Sequence, residues 1–203
     1  RQAGGLFIAD EVQTGFGRTG ESMWGFVRHG VVPDLVSLGK PMGNGHPIAG
    51  LVGRSALFDA FGRDVCYFNT FGGNPVSCQA AHAVLRVIRE EQLQQNAQRV
   101  GHYLRQGLQQ LAQDFPLIGD IRAYGLFIGV DLVSDRESKA PATESALQVV
   151  NAMRQRGVLI SATGPTANVL KVRPPLVFQE EHADVFLTTL SDVLKVIDTR
   201  TWE

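Results

Sequence analysis

The sequence predicts an α/β chain in two parts, an α/β segment over residues 1–92 and a small α+β domain over residues 93–203. Three observations carry this. Short apolar runs alternate with glycine-rich connections through the first third, and most of the 22 glycines fall within the first 75 residues. A long helical pattern follows. Beyond Pro116, strand-like and helix-like segments alternate again. Short apolar runs bounded by Gly, Pro or Asp suit buried strands of an α/β sheet, and renewed alternation after a long helix suits a separate layered domain.

The elements follow in order. Leu6–Ala9, Leu35–Leu38 and Ala49–Val52 read as three buried strands, although short core helices have the same apolar signature. Asn74-Pro75 reads as a helix start, with Asn as N-cap and Pro in the first turn. That helix should run to about Glu91 and bury Ala80, Val84, Val87 and Ile88. A second helix is expected through Val100, Leu104, Leu108 and Leu111. After Pro116, Leu126–Asp131 is a strand. Thr143 can cap a helix carrying Ala146, Leu147, Val150 and Met153, which Gly157 would end. Val158–Ser161 and Val169–Val172 are further strands, and a last helix spans about Glu181–Ile197.

Composition narrows the function classes. Apolar residues at 44% and charged residues at 19% are ordinary for a soluble globular protein. The net charge of −1, without a basic block, points to neither nucleic acid nor an anionic membrane as partner. No apolar run approaches the roughly 20 residues that span a bilayer. Cys66 and Cys78 have neither metal nor disulfide-scaffold spacing, and the five histidines show no ligand pattern, so no metal is assigned and a reducing interior such as the cytoplasm is the simplest compartment. The chain opens on Arg1 and enters a strand almost at once, without a signal peptide, and is expected to be a piece of a longer protein.

Several motifs could carry chemistry. Gly15-Phe16-Gly17-Arg18-Thr19-Gly20 matches the dinucleotide fingerprint, but Asp10–Gln13 separates it from the strand and no long helical stripe follows, so a plain loop is the stronger reading. Asp10 ends a strand at the edge that faces the ligand crevice of an open sheet; it is either a turn cap or a charge placed for a cofactor. Lys40 follows the next strand and precedes Pro41 and Gly43-Asn44-Gly45. Burial there would lower its pKa and make it an amine nucleophile, while a solvated surface lysine is the alternative. Phe68–Pro75 leads into a helix N-terminus, where backbone N–H groups and the Thr70 hydroxyl could hold a phosphate or simply cap the helix. Arg173, fixed between a strand and Pro174-Pro175, could fork onto a carboxylate or form a surface ion pair.

Taken as an ordered set, Ile8 to Gly20, Pro33-Asp34 through Gly39-Lys40, and Thr70–Pro75 resemble the class III pyridoxal-phosphate aminotransferases over nearly all of the chain. The resemblance implies the C-terminal part of a fold-type I transferase, comprising the end of its large α/β domain and its small C-terminal domain. It implies pyridoxal 5′-phosphate as cofactor. Lys40 would bind it covalently and move the substrate proton, and Asp10 would pair with the pyridine nitrogen. Val12 would pack on the ring, Gln13 would lie near the ring hydroxyl, and Thr70 would bind the cofactor phosphate of the neighbouring subunit in a homodimer with shared sites. Arg173 would hold the substrate carboxylate. The expected activity moves an amino group from an amino acid or ω-amine to an oxo acid. Gly39–Pro47, Pro141–Glu144, and Gly164-Pro165 ahead of Asn168–Lys171 are especially similar to the ethanolamine-phosphate phospho-lyase group, so the alternative is phosphate elimination from an O-phosphorylated amino alcohol. The family's phosphate loop and ring-stacking aromatic residue belong to segments upstream, so the 203-residue chain alone is expected to bind the cofactor poorly.

Overall fold

The structure is a computed structural model and describes residues 1–198. The chain divides into two compact units, Arg1–Gln94 and a second that begins at Gln95.

The first unit carries a three-stranded sheet in the order β1 (Ile8–Asp10), β2 (Leu35–Leu38), β3 (Gly50–Gly53). β1 and β2 are parallel, with Ile8 opposite Leu35 and Asp10 opposite Ser37; β3 is antiparallel to β2. Parallel neighbours need a crossover. Here it is a packed loop followed by a 3-10 turn, Gly25–His29. A second 3-10 turn, Lys40–Met42, follows β2. Two helices follow, α1 (Ser55–Asp64), which is not among the elements expected from the sequence, and α2 (Pro75–Glu90). Asn74 caps α2 as expected, its Oδ1 accepting from the Ser77 N–H at 3.0 Å, with Pro75 in the first turn.

Burial in this unit is lighter than the apolar runs suggest. Among the strand residues only Ala9 is fully buried, and Leu6, Phe7, Ile8, Leu51 and Val52 are exposed. Three short strands and two helices leave much of the sheet surface uncovered. On α2 the inward positions are Ala81 and Ile88, with Ala80 and Val84 half-buried. Val87 is exposed, because it stands about 100° around the helix from Ile88.

The second unit holds nearly all of α3 (Leu93–Asp114) and a four-stranded antiparallel sheet. Its strands are β4 (Ile118–Tyr124), β5 (Phe127–Leu132), β6 (Ser161–Thr163) and β7 (Val169–Val172), in the order β4-β5-β7-β6. α4 (Thr143–Gln155) and α5 (Glu180–Asp198) complete it. One core joins these elements. Val100, Leu104 and Leu108 of α3, Ala146, Val149 and Met153 of α4, and Leu190 and Leu194 of α5 pack in one cluster with Ile128, Val130, Leu132 and Leu170 of the sheet.

Three local expectations are corrected here. Thr143 does not cap α4: Ala142 is the N-cap without a side-chain bond, and the Thr143 hydroxyl donates instead to the Thr166 carbonyl at 2.6 Å. Val149, not Leu147, faces the core; Leu147 is 61% exposed, which follows because Ala146, Val149 and Met153 define one stripe at spacings of three and four. Val158–Ile160 is not a strand; pairing begins only at Ser161, opposite Lys171. Gly157 does follow the end of α4, at φ +83°. Among the described residues no helix is long and apolar enough to cross a membrane.

Candidate active site

The parallel pairing of β1 and β2 brings two of the expected site residues to one end of the sheet. Asp10 is the last residue of β1 and lies opposite Ser37; Lys40 comes three residues after Ser37. The Asp10 carboxylate is exposed and oriented on one side. Its Oδ1 accepts from the Ser37 hydroxyl and from the Val12 N–H, each at 3.1 Å. Val12 in turn lies against the residue before the lysine: a Cβ placed on Gly39 would stand 3.6 Å from Val12 Cγ2.

Lys40 opens its 3-10 turn at φ +28°, in the left-handed region and immediately before a proline. Both features are unfavourable for a non-glycine residue, and such backbone persists only where the surroundings impose it. The turn is held by Met42 N–H to Gly39 O at 2.9 Å and His46 N–H to Gly43 O at 3.0 Å. Only glycine fits at position 43, since a Cβ there would lie 2.1 Å from the His46 carbonyl oxygen. Lys40 itself makes no hydrogen bond or ion pair among the described residues. It is exposed, as Asp10 is. Of the two readings open for Lys40, buried nucleophile or solvated lysine, this chain by itself forms the exposed one, because the elements of its unit leave the carboxyl ends of β1 and β2 open.

Gln13 is exposed in the turn after β1. Thr70 stands in an exposed loop shaped by Asn69, whose side-chain oxygen accepts from Phe71 N–H at 3.1 Å and Gly72 N–H at 2.9 Å. This loop is tied to the Lys40 segment. His46 Nε2 and Ser77 Oγ lie 2.9 Å apart, and Ser77 belongs to the first turn of α2, which the Thr70 loop enters. In the second unit, Arg173 follows β7 and lines a cavity of ≈ 600 Å³ with Ser161, Lys171, Phe178 and His182.

The glycine run that matches a dinucleotide loop serves another purpose. Gly17 and Gly20 adopt φ +76° and +79° in consecutive turns, and no α-helix follows them directly. Phe16 is buried and meets Trp24 edge-on, with centroids 5.2 Å apart. The centre of this loop is Glu11, which lies inside the Ile8 to Gly20 motif and to which the sequence alone assigns no role. It is 2% exposed and accepts three hydrogen bonds, from Thr14 Oγ1, Gly25 N–H and Phe26 N–H. Its only signal in the sequence was its place between two proposed cofactor residues.

The chain is similar to known proteins along almost its whole length. It is 49% identical over 199 residues to the alanine–glyoxylate aminotransferase 2-like protein of Drosophila melanogaster, covering 97% of this chain and 40% of that protein. It is 44% identical to ethanolamine-phosphate phospho-lyase homolog 1 of Caenorhabditis elegans, covering 98% and 43%. Among solved structures, a phospholyase from Arthrobacter in complex with phosphoethanolamine superposes with a TM-score of 0.93 at 51% identity, covering 96% of this chain and 46% of that one. The chain thus spans less than half the length of these relatives. The family model for class-III aminotransferases matches residues 1–194, and the chain belongs to this family of fold-type I pyridoxal-phosphate enzymes.

Proposed function

We propose that the whole protein binds pyridoxal 5′-phosphate at the carboxyl ends of β1 and β2 and uses Lys40 to hold it covalently and to move a proton at the amine-bearing carbon of a small substrate. The observation that carries this is the Lys40 backbone, held at φ +28° before Pro41 and beside the strand that ends in Asp10. The donor set fits the cofactor. An exposed carboxylate oriented through one oxygen suits a protonated ring nitrogen, and a lysine that is bonded to none of the described residues follows the neighbouring strand. When bound, the cofactor supplies an electron sink for the pair left on the substrate carbon.

In this reading Lys40 takes that proton and returns it as general acid and base. Asp10 holds the ring nitrogen in its protonated form, Val12 packs on the ring, and Gln13 lies near the ring hydroxyl. Thr70 reaches the cofactor phosphate of the neighbouring subunit in a homodimer. Residues 1–92 are then the end of the large cofactor domain and 93–203 the small domain.

Amino transfer from an amino acid or ω-amine to an oxo acid is the reading that Arg173 supports, as a fork for the substrate carboxylate. Phosphate elimination from an O-phosphorylated amino alcohol is supported by the 51% identity to the Arthrobacter phospholyase. The cavity beside Arg173 is also lined by Lys171, and two cations suit a phosphate as well as a carboxylate. Both reactions begin with the same proton removal and diverge when the Cβ–O bond breaks or holds.

The full-length enzyme tests both. Incubated with phosphoethanolamine, and separately with an amino acid and an oxo acid, it should form new amino acid faster than it releases phosphate; the reverse order establishes the second reading. Lys40→Ala should lower either activity by at least about 10²–10⁴-fold, and borohydride reduction should label Lys40 in the wild type. An active Lys40→Ala enzyme, or a label elsewhere, would remove the proposal.

A further inference from the structure

We infer that Glu11 is the positioning residue of this site: its buried carboxylate locks the loop of residues 11–26 so that Asp10 and Val12 are presented at the end of β1. The inference rests on the reading of Asp10 and Lys40 given above and adds the group that holds them in register.

Burying a carboxylate is costly unless donors surround it. Glu11 has three. Its Oε2 accepts from Thr14 Oγ1 and from Gly25 N–H, each at 2.8 Å, and its Oε1 accepts from Phe26 N–H at 2.7 Å. Its main chain is fixed as well: Glu11 N–H donates to Ser37 O at 3.0 Å, adding a rung of β1 to β2 beyond Asp10, and its carbonyl accepts from Gly15 N–H at 3.0 Å. One residue therefore joins β1, β2, the following turn and the 3-10 turn Gly25–His29.

The packing around it leaves no slack. A Cβ on Gly25 would stand 2.6 Å from Thr14 Cβ, and one on Gly15 would stand 2.7 Å from the Glu11 carbonyl oxygen. Successive side chains of a strand point to opposite faces, so Glu11 goes inward while Asp10 stays exposed. The peptide N–H of Val12 donates to Asp10 Oδ1. Rotation of the Glu11–Val12 peptide would break that bond and leave the Asp10 carboxylate held by the Ser37 hydroxyl alone. The Glu11 side chain is the anchor that prevents the rotation. An apolar residue could fill the same space but could not bind the three donors.

The test uses the full-length enzyme loaded with pyridoxal phosphate and two variants. Glu11→Gln keeps the shape but sets an amide NH2 against N–H donors. Thr14→Val removes one donor and leaves the carboxylate. The readouts are the dissociation constant for pyridoxal phosphate, the pH titration of the bound cofactor's absorbance band, and the thermal midpoint of the apoprotein. By analogy with the outer partners that orient metal ligands, Glu11→Gln should weaken cofactor binding about 10- to 100-fold and displace the titration, with Thr14→Val smaller in the same direction. Binding and titration within twofold of wild type in both variants would overturn the inference. So would a lowered thermal midpoint with an unmoved titration, the result expected of a purely structural residue. If Glu11→Gln does not fold, Thr14→Val decides by the same two readouts. Failure of the wild-type enzyme to attach the cofactor at Lys40 would instead overturn the functional reading itself.

Discussion

Asp34 joins the start of β2 to its surroundings through a carboxylate that is almost fully buried, at 3% exposure. Its Oδ2 accepts from the Phe7 N–H and from Arg1 Nε, both at 2.9 Å, and its Oδ1 pairs with Arg54 Nε at 3.1 Å. The Phe7 N–H and then the Arg1 guanidinium hold the carboxyl below its ordinary value, outweighing the burial that pushes the other way. A depressed carboxyl contributes stability that is present above the unfolded-state pKa of about 3.9 and is lost as pH falls through the folded value. Urea unfolding at pH 7 and pH 3 should therefore show a larger fall in midpoint for wild type than for Asp34→Asn; equal falls would show that Asp34 contributes no acid sensitivity. Both arginines are half-exposed, so their ion pairs are screened, and the backbone donor matters more. Residues of this kind explain what could be read in advance. Asp10 and Lys40 were legible because each ends an apolar run. Glu11 and the His46–Ser77 contact were not, because their partners lie up to 15 and 31 residues away and only folding brings them together.

At the scale of elements, the sequence pattern was most legible where burial was one-sided and deep. α3 followed its Val100, Leu104, Leu108 stripe, and β7 kept its expected bounds. β4 was missed because Ile118–Tyr124 alternates, with Asp120 and Arg122 exposed on one face, and so never forms an apolar run. α1 was missed although Leu57, Phe58, Ala60 and Phe61 recur at helical spacing: the stripe is short, and none of its ten residues is fully buried. Gly101 makes the packing of α3 testable. Glycine in a helix interior normally costs about 0.8–1.0 kcal/mol relative to alanine, so propensity alone predicts that Gly101→Ala stabilises. A Cβ there would lie 2.2 Å from the Gly125 carbonyl oxygen and 2.5 Å from its Cα, in the turn between β4 and β5. Backbone cannot yield as a flexible side chain can. Gly101→Ala should destabilise the protein by about 1–3 kcal/mol in urea unfolding. A gain in stability would mean that α3 can move off the turn without cost.

For the whole molecule, the two units differ in how much of their apolar surface they bury by themselves. The buried cluster that runs from Ala97 to Ile197 lies entirely in the second unit. In the first unit the fully buried apolar residues are few, while Tyr67, Phe68, Phe71 and Val76 are more than 65% exposed. Local stability follows buried contacts, so the units should open separately. Hydrogen exchange of the 203-residue chain should find the amides of Ile128, Val130 and Leu170 protected at least about 100-fold more than those of Ala9 and Val36, which are bonded in the weaker sheet. Equal protection would mean that the chain opens as one cooperative body. The proposed site gives this experiment a second arm. A ligand that binds only the folded form stabilises it by about 2.7 kcal/mol at 100 times its dissociation constant, roughly a hundredfold in exchange rate. Pyridoxal phosphate added to the full-length enzyme at that excess should slow exchange in β1, β2 and the Lys40 turn by that factor. If the slowing fell on the second unit and spared those segments, the cofactor would be binding somewhere other than the strand ends that carry Asp10 and Lys40.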